Sequence, residues 1–104
     1  MTYGESRNSQ YPNSGEIYSL YVLKEYQGHG LGKDLFMLGI KELINKGYTS
    51  MILNVLDGNK TIYFYEKYGG KKVSTKQAEF HDIEITEHVM YYENLKDIYK
   101  EFNN

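Results

Sequence analysis

The sequence is short, nearly neutral and free of cysteine, and these features exclude several classes of protein. Its 104 residues and net charge of −2 allow one domain and give no basic surplus for binding a nucleic-acid backbone. No apolar run approaches the ~20 residues of a membrane helix and no signal-peptide core is evident, so we expect a cytoplasmic protein without membrane contact. Without cysteine there is no disulfide, thiolate nucleophile or cysteine-based metal site.

The first half of the chain predicts a strand, a helix and a second strand. Residues 1–15 are polar and predict an arm or loop. Residues 16–23, "EIYSLYVL", are largely apolar on both faces, which is typical of a strand covered on both sides. Residues 31–46 place their apolar side chains on one arc of a helix, with Gly47 at its C-terminal cap. Residues 49–56, "TSMILNVL", predict a buried strand parallel to the first.

The second half predicts a short helix followed by an antiparallel hairpin. Asp57 or Asn59 is expected to cap the helix at its start, and Gly69 is expected to end it. Residues 71–93 alternate polar and apolar side chains around "FHD", which predicts the hairpin. Residues 94–104 form a polar tail with helix-forming potential. The order of elements therefore predicts an α/β fold with a mixed sheet.

The stretch "YQGHGLGK", 26–33, lies between the first predicted strand and the first turn of the helix. Helix N-termini present unpaired N–H groups and a partial positive charge. Glycines allow a phosphate to approach that backbone, and Lys33 adds a positive charge. The stretch therefore predicts a site for a phosphate or pyrophosphate. The alternative is a glycine-rich turn without a ligand.

Three glycine-rich templates were compared with this stretch. A Walker A loop requires Ser or Thr where this chain has Asp34, and it requires an earlier glycine that is missing. A Rossmann fingerprint lacks its third glycine here. The template Q/R-x-x-G-x-G/A is matched in full by Gln27, Gly30 and Gly32.

Together with a second motif, this stretch resembles the GNAT superfamily of acetyl-CoA-dependent N-acetyltransferases. The first motif is "QGHGLG", 27–32. The second, "NKTIYFYEKYGG" at 59–70, is similar to the family's N-x-x-A-x-x-F-Y-E-K-x-G-F, with Ile62 for the small residue and Gly70 for the aromatic. The resemblance covers residues 16–93.

The resemblance implies a GNAT-like mixed sheet that is truncated at its N-terminus. On this interpretation the chain has a polar arm at 1–15, a partial acetyl-CoA-binding domain at 16–93 and a tail at 94–104. It implies an acyltransferase that uses acetyl-CoA as co-substrate and no metal. The acetyl group would pass directly, in a ternary complex, to a primary amine of a small molecule or peptide.

The resemblance also implies the residues of the cofactor site. The backbone after the first strand would bind the pyrophosphate, the end of that strand would pair with the pantetheine arm, and two residues of the second motif would complete the site. These residues are Gln27, Gly28, His29, Gly30, Leu31, Gly32 and Lys33; Tyr21, Val22 and Leu23; and Asn59 and Tyr65. In the family, the strands at 16–23 and 49–56 splay apart around the thioester.

Two side chains are implied to move protons. Tyr65 matches the tyrosine that protonates the departing thiolate, a task that suits a neutral phenol in a dry site. Its alternative interpretation is a packed core aromatic. Glu16 matches the strand position where some members place a glutamate base, and apolar neighbours would favour such a role. Its alternative is a solvated strand end, and other members use ordered water instead.

The histidines allow two interpretations. His29 falls at a variable position of the phosphate motif and is expected to be exposed near the cofactor. His81 and His88, with nearby acidic residues, resemble a loose metal cluster, but a solvated hairpin is favoured because first-row ligand geometry is missing.

The sequence also allows two other functions, and it predicts a homodimer. The chain could be a coenzyme A-binding or regulatory module that has lost turnover, or an interaction protein that keeps only the fold. A family member has further strands and helices before the strand at 16–23, which would otherwise lie bare at the sheet edge. A homodimer that covers this edge is therefore expected. The alternatives are a separate polypeptide that carries the missing half and a strand from residues 1–15, although Pro12 and Gly15 argue against a long one.

The glycine motif makes a direct prediction for cofactor binding. Gly30→Asp and Gly32→Asp each add a side chain and a negative charge where the phosphate would approach, so both should abolish coenzyme A binding in calorimetry. Unchanged affinity in both variants would remove the phosphate assignment.

Overall fold

In a computed structural model, which describes residues 2–19, 31–58 and 60–103, the chain forms a five-stranded mixed sheet and three helices. The strands are β1 (Thr2–Glu5), β2 (Gly15–Ser19), β3 (Met51–Leu56), β4 (Lys71–Phe80) and β5 (Ile83–Tyr92). The helices are α1 (Leu31–Asn45), α2 (Thr61–Lys67) and α3 (Leu95–Phe102). The sheet order is β1-β2-β3-β5-β4, in which β2 and β3 are parallel and the other neighbours are antiparallel. The predicted α/β class and mixed sheet are confirmed.

The N-terminal arm contains a strand that the polar composition did not predict. Tyr3 of β1 lies opposite Ile17 of β2, and Glu5 lies opposite Gly15. The four residues of β1 precede Pro12, so the proline does not interrupt them. The expectation of a bare edge on β2 was therefore wrong. The homodimer that was inferred from it stays a prediction.

Helix α1 packs its apolar arc against the sheet, as the periodicity predicted. The side chains of the arc are almost fully buried and belong to one cluster with the inner residues of β3 and β5. They are Phe36, Met37, Ile40 and Leu43, with Ile44 partly buried beside them. This packing fixes the helix against the inner face of the sheet.

Glycine ends α1 by the predicted capping geometry. Gly47 has φ +97°, a region that glycine adopts without strain. The Tyr48 N–H donates to the carbonyl of Leu43 at 3.0 Å, and the Gly47 N–H donates to the carbonyl of Ile44 at 2.9 Å. These two bonds define a Schellman motif.

Helix α2 begins without the predicted side-chain cap. Its N-cap residue is Lys60, which makes no capping hydrogen bond through its side chain. The prediction of Asp57 as the cap was wrong, because its Oδ1 lies 2.8 Å from Nε2 of His88 on β5. Asn59 lies outside the described residues. Gly69, with φ +100°, ends the helix as predicted.

The C-terminal elements are the predicted hairpin and a helical tail. Strands β4 and β5 are joined by His81 and Asp82, whose φ values of 51° and 64° define a two-residue type I′ turn. The Asn94 side chain accepts a hydrogen bond from the Asp97 N–H and caps α3, which buries Leu95 and Ile98. None of the described helices is long and apolar enough to cross a bilayer.

The two faces of the sheet differ in character. The face under the helices carries apolar residues at alternate positions of the strands: Ile17, Met51, Leu53, Val55, Met90 and Tyr92. The opposite face carries Glu16, Asn54 and Glu87 as well as the buried Ile52 and Val89. Polar side chains therefore meet on one surface of the sheet.

The packing around Gly70 explains why this chain lacks an aromatic residue there. A Cβ at Gly70 would lie 2.6 Å from the Tyr92 hydroxyl and 2.9 Å from the Tyr65 carbonyl. The hydroxyl donates to that carbonyl at 2.8 Å, so the Tyr92 side chain fills the space.

We expect Gly70→Ala to lower the free energy of unfolding by about 1–3 kcal/mol, the usual cost of overpacking, as measured in urea. Tyr92→Phe should relieve only part of this cost, because Cζ of the ring would still lie 2.7 Å from the added Cβ. A Gly70→Ala variant as stable as the parent would contradict this packing account.

Candidate functional site

The parallel pairing between β2 and β3 is short. Among the described residues it joins Gly15 to Met51 and Glu16 to Ile52, whereas β2 continues to Ser19 and β3 continues to Leu56. Strand β3 pairs along its whole length with β5. The backbone of β3 beyond Ile52 is therefore unpaired on the β2 side within the described residues.

Tyr65 lies on the helical side of the sheet, near the middle of α2. Its ring is partly buried, 5.7 Å from the ring of Phe36 and 5.4 Å from that of Phe64. Burial raises the pKa of the Tyr65 phenol above its ordinary value of 10.0. The hydroxyl therefore stays protonated at neutral pH, as a proton donor must.

Glu16 lies on the opposite face and is paired with Arg7. Its side chain is 2% exposed, so the interpretation as a solvated strand end was wrong. The backbone N–H of Arg7 donates to Oε1 at 2.9 Å, and the guanidinium donates to Oε2 at 2.8 Å. The hydrogen bond to Glu16 raises the pKa of Arg7, and the guanidinium lies 4.1 Å from the ring centroid of Tyr18.

A cleft of ≈ 590 Å³ opens on this same face. Its lining includes two carboxylates, two amides, an aromatic ring and one aliphatic side chain besides Arg7. These residues are Glu16, Glu87, Asn8, Asn54, Tyr18 and Leu56. The Glu87 carboxylate lies 3.9 Å from Nζ of Lys76, which also lines the cleft. The cleft is large enough for a small organic molecule.

Most of the predicted cofactor residues cannot be compared with the structure. Gly32 and Lys33 lie in the first turn of α1, and Leu31 begins it. Tyr65 lies in α2. The others lie outside the described residues: Tyr21, Val22, Leu23, Gln27, Gly28, His29, Gly30 and Asn59.

Two of the histidines lie on the hairpin, at different places. His81 forms the turn and is exposed. His88 lies within β5, between Asp57 at 2.8 Å and the Thr75 hydroxyl at 3.1 Å. In the part of the chain that the structure describes, no three His, Asp or Glu side chains gather as metal ligands.

Of the residues that line the cleft, sequence reasoning identified only Glu16 as a site residue, and Arg7 and Asn54 are two that it missed. Arg7 lies in a polar segment. Nothing in the composition of that segment indicates a contact with Glu16, nine positions later. Asn54 was passed over inside the apolar run "ILNVL". A lone amide in a buried strand was the available signal, because a buried polar side chain requires a partner.

The Arg7–Glu16 pair should matter more for stability than the second ion pair of the cleft. We expect Arg7→Gln to lower the free energy of unfolding by about 1–3 kcal/mol, since it removes a charge-assisted hydrogen bond from a buried carboxylate. Lys76→Gln, the matched control at a looser pair with a more exposed carboxylate, should cost about 0–1 kcal/mol. Equal losses in urea unfolding would mean that Glu16 does not depend on the guanidinium.

The chain is similar to known proteins in sequence and in fold. Residues 8–80 match the family described as FR47-like protein. YuaI, an uncharacterized N-acetyltransferase of Bacillus subtilis (strain 168), is 31% identical over 86 residues, which are 83% of this chain and 50% of that protein. The chain thus spans half the length of this curated relative.

Solved structures share the fold at lower sequence identity. An N-acetyltransferase from Staphylococcus aureus Mu50 matches with a TM-score of 0.73 at 23% identity, covering 89% of this chain and 58% of that one. A GNAT family acetyltransferase from Elizabethkingia anophelis with acetyl-CoA bound has a TM-score of 0.66 at 20% identity, covering 78% of this chain and 61% of that one.

The family match extends over more than half of the chain, and the fold agrees with the two motifs. The described β2–α1–β3 unit, the α2 helix and the β4–β5 hairpin lie in the expected order. The chain belongs to the FR47-like family and to the GNAT superfamily of acetyltransferases.

Proposed function

We propose that this chain is the acetyl-CoA-binding part of an N-acetyltransferase that acetylates a primary amine by direct transfer in a ternary complex. The observation that carries the proposal is the early end of the β2–β3 pairing. We infer that the two strands separate there, and that the gap connects the partly buried phenol of Tyr65 on the helical face with the polar cleft on the other face. A thioester held in this gap would meet both groups.

The predicted cofactor site agrees with the described residues that border it. Helix α1 begins at Leu31, within the glycine motif at 27–32, so its first-turn N–H groups border the proposed pyrophosphate site. Lys33 would add a positive charge there. When bound, acetyl-CoA supplies the acetyl thioester. We propose that the remaining predicted residues, from Tyr21 to Gly30 and at Asn59, hold the coenzyme as the resemblance implies.

Tyr65 is proposed as the general acid. As the amine attacks the carbonyl carbon, a C–N bond forms and the C–S bond breaks, and the leaving sulfur takes the phenolic proton. The raised pKa of the phenol keeps that proton available throughout the neutral range. The amine loses its own proton to a base.

Glu16 is proposed as that base, acting directly or through water. Its Oε1 accepts from the Arg7 backbone N–H and its Oε2 from the Arg7 guanidinium, so an amine or a water would have to bond a remaining lone pair of the carboxylate. Bulk or bound water is the alternative route. The amine would enter through the cleft that Glu16 lines.

A coenzyme A-binding module with impaired turnover is the second candidate, and the Arg7–Glu16 pair favours it. A base that is permanently neutralised would leave binding intact and lower transfer. Coenzyme A titration separates both candidates from an interaction protein that binds no ligand. Thiol release with a panel of amines then separates the enzyme from the binding module.

The homodimer and the cytoplasmic location stay predictions. Because β1 already covers part of β2, a dimer would have to form by another contact, such as exchange of the C-terminal helix α3. Sedimentation at micromolar concentration measures this directly.

Tyr65→Phe tests the proposed acid. Turnover should fall by roughly 10²- to 10⁴-fold, the range for a lost general acid, while coenzyme A affinity stays close to that of the parent because the ring remains. Tyr63→Phe is the matched control, since Tyr63 lies on the same helix with 71% of its surface exposed. Thiol release and calorimetry measure the two quantities.

The pH dependence of turnover follows from the direction in which the pKa of Tyr65 is shifted. A raised pKa keeps the acid protonated up to a higher pH, so no alkaline loss of rate should arise from Tyr65 below about pH 10. Wild-type turnover in Tyr65→Phe would show that water or another group protonates the thiolate.

A further inference from the structure

Helix α2, which carries Tyr65, is short and lies against the core without being enclosed by it. None of its seven residues is fully buried, and its apolar side chains Ile62 and Phe64 are only partly covered. Near its C-terminal end, the Tyr92 hydroxyl donates to the Tyr65 carbonyl at 2.8 Å. At its start, the N-cap Lys60 makes no side-chain capping bond. The position of the Tyr65 phenol therefore also depends on what holds the segment before the helix.

Asp57, in the segment between β3 and α2, is tied to β5 by two contacts. Its backbone N–H donates to the Thr86 carbonyl at 2.8 Å, and its Oδ1 lies 2.8 Å from Nε2 of His88. The Asp57 side chain is 66% exposed and that of His88 is 13% exposed, so the imidazole is the fixed partner of the pair. His88 and Tyr92 lie on the same face of β5, because side chains alternate along a strand. One strand therefore holds α2 at both of its ends.

The imidazole of His88 is oriented by a second partner on β4. Its Nδ1 lies 3.1 Å from the Thr75 hydroxyl, which belongs to the residue opposite His88 in the hairpin. A carboxylate can only accept a hydrogen bond, so Nε2 carries the hydrogen that is donated to Asp57. In the neutral ring, Nδ1 then accepts from the Thr75 hydroxyl. Two partners at opposite ends of the ring fix its rotation and aim Nε2 at Asp57.

We propose that His88 is a positioning residue for acetyl transfer, because it holds Asp57 and thereby sets the place of α2 and of the Tyr65 hydroxyl. This inference rests on the proposed function, in which Tyr65 protonates the leaving sulfur. A general acid has to lie within hydrogen-bond reach of the atom that it protonates. A misplacement of about 1 Å, even from a change far from the chemistry, can lower the rate by about 100-fold. His88 would act through Asp57 and the helix, without contact with the substrate.

The experiment compares His88→Asn with His88→Gln. The glutamine amide is long enough to place an N–H where Nε2 of the imidazole lies, whereas the asparagine amide reaches only as far as Nδ1. We expect His88→Asn to lower kcat for thiol release by about tenfold or more and to keep KM for acetyl-CoA within about threefold of the parent, because the phenol moves while the glycine motif stays in place. His88→Gln should restore kcat to within about threefold of the parent, since it keeps the donor to Asp57.

Asp57→Ala removes the same contact from its exposed side, where the substitution leaves no cavity in the core. It should lower kcat as much as His88→Asn does, and the double variant should be no slower than either single one, because both remove one contact. Gln77→Ala is the control, since it removes an exposed hydrogen bond to the Thr86 hydroxyl in the same hairpin, and its kcat should equal that of the parent. A parental kcat in Asp57→Ala would overturn the proposal. So would an equal loss in His88→Asn and His88→Gln, which would show that only the packing of the ring matters.

A measurement without turnover separates this inference from the proposed function. In a chain labelled with ¹³C at the tyrosine Cζ, the signal that disappears in Tyr65→Phe belongs to Tyr65. This signal should shift in His88→Asn and Asp57→Ala and should keep its parental position in His88→Gln and Gln77→Ala. If the parent releases no thiol, the proposed function fails, while this pattern of shifts still supports the link from His88 to Tyr65. An unmoved Tyr65 signal in both His88→Asn and Asp57→Ala would overturn the link whatever the turnover.

Discussion

The structure depends on the short parallel contact between β2 and β3 beneath α1. Parallel neighbours cannot be joined by a hairpin, so the chain must cross over, and α1 makes that crossing. Gly15 allows it, because a Cβ there would lie 2.8 Å from Cδ2 of Leu43. The Gly15 N–H donates to the Ser50 carbonyl at 2.9 Å, and the Ser14 and Ser50 hydroxyls lie 2.7 Å apart. These contacts fix where the two strands begin beside each other.

Elements with strong local signals could be predicted from the sequence. The apolar arc of α1, the glycines that end α1 and α2, and the alternation in the hairpin each depend on residues close together in the chain. Strand β1 was missed because its stabilisation comes from β2, more than ten residues away, and not from its own polar residues. Asp57 failed as a cap for a similar reason. A histidine 31 residues later provides its partner, and no local pattern indicates that pairing.

The residues of the candidate site also divide into those with a local sequence signal and those without one. The glycine motif and Tyr65 could be identified because each belongs to a contiguous motif. Glu16 could be identified as a candidate, but its burial and its guanidinium partner arise from the packing of the N-terminal segment onto the sheet. Asn54 belongs to no motif, and only the burial of its oxygen distinguishes it from an ordinary strand residue. Motifs thus indicate where the coenzyme would bind, whereas the polar groups of the cleft depend on tertiary structure.

The two outer strands of the sheet affect how readily chains aggregate. Open backbone groups at a sheet edge can recruit a strand from another molecule and start intermolecular β-structure. Strand β4 is one such edge, and it carries the exposed Lys71, Lys72 and Lys76. At the other side β1 is only four residues long. Charge at one edge and shortness at the other both disfavour strand addition, so the described sheet resists growth by edge-to-edge stacking between chains.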